Sequence, residues 1–118
     1  MSLHDELCRK QITFDLHQKS LEQYYPRPGF SINPLFYKKA YSDISDFMKD
    51  NGFEHRQYSV YTSKEPTSAR NIAKLISRLA AEMLWLNSCV NEIDVTDIGE
   101  QYSLKQVLEG AIKLVDLD

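Results

Sequence analysis

Along the chain, segments in which every second residue is apolar alternate with segments in which every third or fourth residue is apolar. The order of these segments constrains the fold more than any other feature. In residues 10–16, apolar Ile12, Phe14 and Leu16 alternate with polar residues. A period of two built from β-branched and aromatic side chains predicts a β-strand. Asp15 lies at its far end, and His17 follows at the entrance to a loop that carries prolines.

Two segments have the apolar spacing of amphipathic helices. For the first, Asn33 predicts the N-cap, Pro34 the first helical position and Gly52 the stop. Its apolar stripe consists of Tyr37, Ala40, Tyr41, Ile44, Phe47 and Met48. The second helix is predicted to start at Thr67 or Ser68. Its stripe consists of Ile72, Leu75, Ile76, Leu79 and Met83.

The remaining segments predict further strands and a final helix. Residues 53–62 are rich in Tyr, Val and Thr, which predicts either one long bent strand or two strands joined by a tight turn. Residues 89–98 alternate around Ile93 and Val95 and predict another strand. A capping box at residues 103–106 starts a last amphipathic helix. The order strand–helix–strand(s)–helix–strand–helix predicts an α+β sandwich with its helices on one sheet face.

Length and charge limit the class of protein. A chain of 118 residues suits a single domain. The formal net charge of −3 argues against an indiscriminate nucleic-acid binder, because such proteins are usually strongly basic. Cys8 and Cys89 are too few for a disulfide framework. No signal peptide and no membrane-spanning run is recognisable, so we expect a cytoplasmic protein with no membrane partner.

The clearest chemical candidates are Asp15 and His17 at the end of the first strand. A carboxylate can hold Mg²⁺ with phosphate and water in the other positions, and a histidine or tyrosine can move a proton in RNA cleavage. The structural alternative is that Asp15 starts the following turn by a hydrogen bond to the backbone. The sequence has no Gly-rich phosphate loop, no His-Glu-x-x-His zinc motif and no Cys-x-x-Cys pair.

A row of basic residues recurs every four positions on the second helix, opposite its apolar stripe. The row consists of Arg70, Lys74 and Arg78. Such a row can follow the phosphates of a nucleic acid, and it can equally be an ordinary solvated helix face.

Several motifs together resemble the virulence-associated protein D (VapD) family over roughly residues 11–98. They are Phe14-Asp15-Leu16, Tyr37-x-x-Ala40-Tyr41-x-Asp43-Ile44, Gly52-Phe53-Glu54-x-x-Gln57-x-Ser59-Val60-Tyr61, and Trp85 with Cys89-Val90-x-x-Ile93. The family is similar to the small dimeric nuclease-like subunit of CRISPR adaptation complexes. The resemblance implies a ferredoxin-like β-α-β-β-α-β homodimer in which residues 53–62 form two strands. It also implies an endoribonuclease acting as the toxin of a toxin–antitoxin pair.

The resemblance also implies functional roles for individual residues of this chain. Asp15 matches its acidic residue at the end of the first strand, and Ser59 and Tyr61 match its Ser-Val-Tyr block. Two positions depart from it, since Tyr58 stands where the family often has Gly and His17 where it often has an acidic residue or Lys. The Pro-rich loop and the C-terminal helix look like additions.

The resulting hypothesis is a homodimeric endoribonuclease with one domain at 1–118, comprising a core at 10–98 and a C-terminal helix at 103–116. Mg²⁺ bound to Asp15 is the candidate metal, and an antitoxin protein is a candidate partner. The candidate catalytic residues are Asp15, His17, Ser59 and Tyr61. The candidate RNA-binding residues are Arg56, Arg70, Lys74 and Arg78. The alternatives are a non-catalytic dimeric module that binds nucleic acid or protein, and an adaptor that acts through the final helix.

Overall fold

The computed structural model describes residues 6–29, 33–100 and 103–116, and its elements follow the predicted order. The first half contains β1 (Arg9–Leu16), α1 (Gln18–Tyr24), α2 (Lys39–Asp50), β2 (Phe53–Gln57) and β3 (Val60–Ser63). The second half contains α3 (Ala69–Glu82), α4 (Leu86–Cys89), β4 (Val90–Ile98) and α5 (Lys105–Asp116). Residues 53–62 are therefore two strands, as the resemblance implied.

The four strands form one sheet in the order β2-β3-β1-β4, and every neighbouring pair is antiparallel. β1 is an inner strand, in which Ile12 lies opposite Tyr61 of β3 on one side and Val95 of β4 on the other. The strand order and the two crossing helices match a ferredoxin-like α+β fold. This confirms the fold class predicted from the sequence.

Alternation along β1 decides which sheet face meets the helices. Ile12 and Phe14 are buried at 0% and 3% exposure, whereas Asp15 is exposed. Both buried side chains share one core cluster with residues of α2 and α3, so these helices cover the same sheet face. The helical members include Ile44, Phe47, Met48, Ile72, Leu75 and Leu79. Each fully buried side chain of this kind stabilises the fold by about 1.5–3 kcal/mol.

A smaller cluster fixes the segment that follows β1. Leu21 of α1 is fully buried with Tyr37, Ala40 and Cys89. Tyr25 packs edge-on against Trp85 at 5.0 Å between ring centroids, and its hydroxyl donates a hydrogen bond to Asp43. The aromatic start of the loop therefore packs over the core edge. Tyr24 remains half exposed, and Phe30 lies outside the described residues.

The predicted start of α2 was wrong. Asn33 does not cap this helix, because its Oδ1 accepts a hydrogen bond from the amide of Leu35 at 2.9 Å and closes a turn. A single 3-10 turn, Phe36–Lys38, follows before α2 begins at Lys39. Gly52 ends the helix as predicted, in a left-handed conformation with φ of 86° that favours glycine.

Two other helix boundaries could be assigned only from the structure. Ser68, and not Thr67, caps α3, because its hydroxyl accepts a hydrogen bond from the amide of Asn71 at 3.1 Å. Cys89 closes the short helix α4, so β4 begins one residue later than predicted. At the C-terminal end, α5 is present, and the apolar side chains Leu104, Val107 and Leu108 are exposed by more than 60%. No helix within the described residues has the length and hydropathy needed to cross a membrane.

Candidate active site

The carboxyl end of β1 brings Asp15 to the sheet face opposite the helices. The ladder between β1 and β4 shifts register there, since Asp15 pairs with Glu92 but Leu16 pairs with Val90. A bulge of this type bends the strand and re-aims the neighbouring side chain, and such bulges are frequent beside active sites. Asp15 is exposed, and no described residue forms a hydrogen bond or ion pair with its carboxylate. It is therefore open to a ligand.

The surroundings of Asp15 are acidic. Glu92 lies directly opposite Asp15, and Asp94 lies opposite Thr13, so all three carboxylates share the open sheet face. Like charges across a ladder are unfavourable, and a bound cation would relieve this repulsion. The described residues contain no group of three or more acidic, histidine or cysteine side chains placed to hold a metal. Mg²⁺ can nevertheless bind through one or two carboxylates with water and phosphate. Asp15 and Glu92 would supply these carboxylates, although Oε1 of Glu92 also accepts a hydrogen bond from the amide of Ile93 at 3.1 Å.

His17 caps the helix that follows β1. Its Nδ1 accepts a hydrogen bond from the amide of Ser20 at 3.3 Å, and its own amide donates to the carbonyl of Cys89 at 2.8 Å. His17 thus makes the hydrogen bond to the backbone that starts the following turn, a role that one interpretation of the sequence had given to Asp15. With Nδ1 engaged by the helix end, Nε2 is the ring nitrogen available to a substrate.

Ser59 lies in the turn between β2 and β3, next to the end of β1. Its carbonyl oxygen accepts a hydrogen bond from the amide of Phe14 at 3.0 Å, which holds the turn one residue from Asp15. The preceding residue, Tyr58, has a positive φ of 30°. Glycine adopts this region without strain, so the backbone of the turn favours glycine at the position that Tyr58 occupies. Although Tyr58 departs from the family pattern, the backbone of Ser59 still lies against the end of β1.

Tyr61 lies in the core and away from Asp15. Its side chain is 1% exposed, meets the ring of Phe14 edge-on at 5.8 Å, and stacks on the ring of His55 at 4.6 Å. Burial raises the pKa of the Tyr61 hydroxyl, and a hydrogen bond with Ser45 opposes the shift. Because Tyr61 faces the helices and Asp15 faces the open side, the structure does not bring these two groups together.

The basic row on α3 also lies apart from Asp15. Arg70, Lys74 and Arg78 are exposed on the side of α3 that faces away from the sheet. Arg78 donates to Oδ1 of Asn51 at 3.0 Å and lies in a hollow among carboxylates. These carboxylates belong to Asp43, Asp46, Asp50 and Glu82. The helix layer separates the row from the open sheet face.

Arg56 is the one predicted RNA-binding residue at the same end of the sheet as Asp15. It lies on β2 next to the turn at Tyr58 and Ser59, and its Nη1 is 3.6 Å from Oε2 of Glu54. Both side chains of this pair are about half exposed. The ion pair is weak at such exposure, so Arg56 can exchange Glu54 for a phosphate.

Sequence reasoning missed a hollow of about 750 Å³ beside this turn. It is lined by Gln18, Tyr37, Lys38, Tyr41, His55 and Tyr58, among others. Tyr37 and Tyr41 were assigned to the buried stripe of the first helix, and Tyr37 is indeed buried. The one sequence signal was Tyr58, which departs from the glycine that the family resemblance led us to expect before Ser59.

Comparison with known proteins identifies the family. No protein-family model matches the chain. The endoribonuclease VapD homolog of Helicobacter pylori is 31% identical over 104 residues, covering 88% of this chain and 96% of the relative. This chain belongs to the VapD endoribonuclease family. Endoribonuclease VapD of Dichelobacter nodosus is 30% identical over 85% of this chain and 97% of its own length. Endoribonuclease VapD 2 of Riemerella anatipestifer is 29% identical over 58% of this chain and 72% of its own length.

Proposed function

We propose that the protein is a homodimeric endoribonuclease that cleaves RNA at the carboxyl end of β1. The observation that carries the proposal is the exposed Asp15 at a β-bulge, between the His17 cap and the Ser59 turn, in a chain of the VapD family. An open carboxylate on a rigid inner strand is well placed to act on a phosphodiester.

Asp15 has the central role in the proposed chemistry. It polarises the group that attacks phosphorus, and together with Glu92 it would hold Mg²⁺, which supplies positive charge for the phosphate oxygens. Ser59 offers its hydroxyl to the phosphate. His17 offers Nε2, either as a hydrogen-bond donor or, in a metal-free mechanism, as the group that moves the proton. Tyr61 acts as a positioning residue through its contacts with Phe14 and His55.

Arg56 is the proposed phosphate contact nearest the scissile bond, because it shares the end of the sheet with Asp15. Arg70, Lys74 and Arg78 are proposed to meet only RNA that extends around the helix layer. Their contribution would be nonspecific and would weaken with added salt. We expect Arg56→Gln to reduce RNA affinity more than Lys74→Gln does.

The proposed dimer has a two-fold axis that brings the two β1 ends to a shared cleft. A symmetric interface pairs like with like, so one Asp15 from each protomer would face the same RNA segment. The resemblance to a dimeric CRISPR adaptation subunit and the exposure of Asp15 support this arrangement. In the cytoplasm such an enzyme would act as a toxin, held in check by an antitoxin protein that covers the cleft.

The test compares RNA cleavage by purified wild type, Asp15→Asn and Asp50→Asn, each with Mg²⁺ and with EDTA. Asp50 is exposed at the end of α2, on the helix side, so Asp50→Asn removes the same charge elsewhere. We expect Asp15→Asn to lose at least about 100-fold in rate, Asp50→Asn to match wild type, and EDTA to abolish cleavage. Equal cleavage by Asp15→Asn and wild type, on preparations free of other ribonucleases, would refute the proposal. RNA binding with no cleavage by wild type would favour the non-catalytic module.

The toxin role has its own test in cells. Induced expression of wild type should arrest growth of a bacterial host and degrade cellular RNA. Expression of Asp15→Asn to the same level should do neither. Growth arrest by both proteins would separate toxicity from cleavage and contradict the toxin mechanism.

A further inference from the structure

The hollow beside the Tyr58–Ser59 turn has the size and lining of a ligand site. Its volume of about 750 Å³ lies within the range of small-molecule pockets, roughly 300–1,000 Å³. Three tyrosines contribute aromatic walls, while Gln18, Lys38 and His55 add polar groups at its rim. The hollow lies on the helix side of the sheet, because residues of α1 and α2 line it and His55 stacks on Tyr61. It shares with Asp15 the end of the sheet at the β2–β3 turn, and Asp15 lies there on the opposite face.

The aromatic side chains converge within it. The rings of Tyr41 and Tyr58 meet edge-to-face with centroids 6.0 Å apart. Burial raises the pKa of the Tyr41 hydroxyl, and the neighbouring hydroxyls of Tyr58 and Tyr37 raise it further. Tyr58 is nevertheless 83% exposed, which leaves one large ring face uncovered at the tip of the hairpin.

The backbone holds Tyr58 in this exposed position at a cost. Its φ of 30° lies in the left-handed region, where a non-glycine residue is strained. The carbonyl of Tyr58 accepts a hydrogen bond from Nε2 of His55, and Nδ1 of His55 contacts the hydroxyl of Ser45 at 3.3 Å. His55 also stacks on buried Tyr61. The hairpin tip is therefore anchored to the core, and strain retained at such a place is typical of binding sites.

A ligand for this hollow must present a flat face and an anion. Aromatic side chains stack on nucleic-acid bases irrespective of their sequence, and every unpaired base has a free face. Lys38 is exposed at the rim and forms no ion pair with a described residue, so it can meet a phosphate of the same strand. A base inside a duplex is covered by its neighbours and cannot enter.

We propose that this hollow binds one unstacked base of a single-stranded RNA, stacked on Tyr58 and Tyr41 with Lys38 on the adjoining phosphate, while the same strand continues around the end of the sheet to Asp15. The inference rests on the proposed ribonuclease function and names its substrate class as single-stranded RNA. Gln18 lies at the rim of the hollow, where its Nε2 donates to Oε1 of Glu22 at 3.2 Å, and its amide oxygen can accept a hydrogen bond from the edge of the base. The Tyr61–His55–Tyr58 contacts then link the hollow to the core and explain why the hairpin tip is held in place.

The test measures RNA binding in the Asp15→Asn background, so that affinity is read without cleavage. Tyr58→Gly removes the ring and suits the positive φ, so the fold is retained. Tyr58→Phe keeps the ring. Tyr24→Ala is the matched control, because Tyr24 is a half-exposed tyrosine at the end of α1 outside the hollow.

We expect Tyr58→Gly to weaken binding of a short single-stranded RNA by about 5- to 100-fold, which corresponds to the stacking of one base. Tyr58→Phe and Tyr24→Ala should bind as the Asp15→Asn parent does, and a duplex of the same sequence should bind weakly and independently of Tyr58. Single-stranded RNA that carries 2-aminopurine should lose fluorescence on binding at one position of the strand. That quenching should disappear with Tyr58→Gly.

Each failure has a distinct signature. If Tyr58→Gly leaves affinity and 2-aminopurine quenching unchanged while cleavage still depends on Asp15, the base-binding inference is overturned and the ribonuclease proposal stands. If Tyr58 governs binding and quenching but wild type never cleaves RNA, the hollow is supported and the ribonuclease proposal fails. Preference for duplex over single-stranded RNA would also overturn the inference.

Discussion

The amide of Phe14 donates a hydrogen bond to the carbonyl of Ser59 at 3.0 Å. This bond joins two motifs that are 45 positions apart in the sequence. The bond holds the β2–β3 turn against the end of β1. Asp15 on the open face and the exposed ring of Tyr58 on the helix side consequently lie at the same end of the sheet. A shift of this contact would change the position of the β2–β3 turn relative to the proposed catalytic carboxylate.

His17 combines a structural role with a possible chemical one, and two substitutions separate them. His17→Ala removes the N-cap of α1 and should lower the free energy of unfolding by about 1 kcal/mol. His17→Asn keeps a capping oxygen and should retain the stability of wild type. If Mg²⁺ at Asp15 is central, we expect His17→Asn to cleave RNA at nearly the wild-type rate. A loss of about 100- to 10,000-fold by His17→Asn would instead identify metal-free proton transfer through His17.

Tyr61→Phe tests whether the buried phenol takes part in cleavage. The substitution keeps the ring that packs on Phe14 and stacks on His55, and removes only the hydroxyl near Ser45. Because Tyr61 faces the core, we expect the cleavage rate to be retained, with a loss of about 1 kcal/mol in unfolding free energy. Single-turnover cleavage and chemical denaturation measure the two effects. A rate loss of at least about 100-fold without loss of stability would assign Tyr61 a direct catalytic role.

Lys10 and Asp97 form an ion pair whose effect depends on pH. Lys10 is fully buried, and its Nζ donates to Oδ1 of Asp97 at 2.6 Å. The hydrogen bond with Asp97 raises the pKa of Lys10 above its ordinary value of 10.5, despite the opposing effect of burial. The stability that this pair contributes is therefore complete below pH 10.5, and it is lost as pH rises through the higher pKa of the folded state.

Denaturation of wild type and Lys10→Met across this range tests the prediction. Wild type should lose stability relative to Lys10→Met as pH rises above about 10.5, while the difference between them should stay constant at lower pH above the carboxylate range. Asp97→Asn should reduce the stability of wild type at neutral pH by at most about 1 kcal/mol, because the Asp97 side chain is 58% exposed and solvent screens the pair. A difference that does not vary with pH would show that the pair adds nothing through the charge of Lys10.

The apolar side of α5 is predicted to contact the partner subunit. Leu104 and Leu108 are exposed by 69% and 62%, which is unfavourable for a helix in water unless another surface covers them. We expect Leu104→Ser with Leu108→Ser to weaken the dimer, as should deletion of residues 103–118. Gln106→Ser is the matched control on the same helix. Light scattering at micromolar concentration that shows an equally stable dimer after both changes would contradict this role of α5.

Local patterns were enough to predict the elements and much of the core. Ile12 and Phe14 alternate along a strand, and Leu75 and Leu79 recur at helical spacing, because side-chain direction follows from the backbone period alone. Resemblance to the VapD family then supplied the division of residues 53–62 into two strands. The N-cap of α2 was mispredicted because Asn33 can satisfy an amide in a turn as readily as in a helix.

The arrangement of the site depended on contacts between distant segments. Sequence could select Asp15 and the basic row, but only the sheet and helix packing placed them on opposite sides of the molecule. It also selected Ser59 and Tyr61 together, and strand alternation then sent Tyr61 into the core. The register of the strands, the direction in which the chain crosses the sheet and the bulge at Asp15 all depend on pairing between β1 and strands far along the chain. The periodicity within each segment therefore determined what the elements are, whereas long-range pairing decided which side chains share a surface.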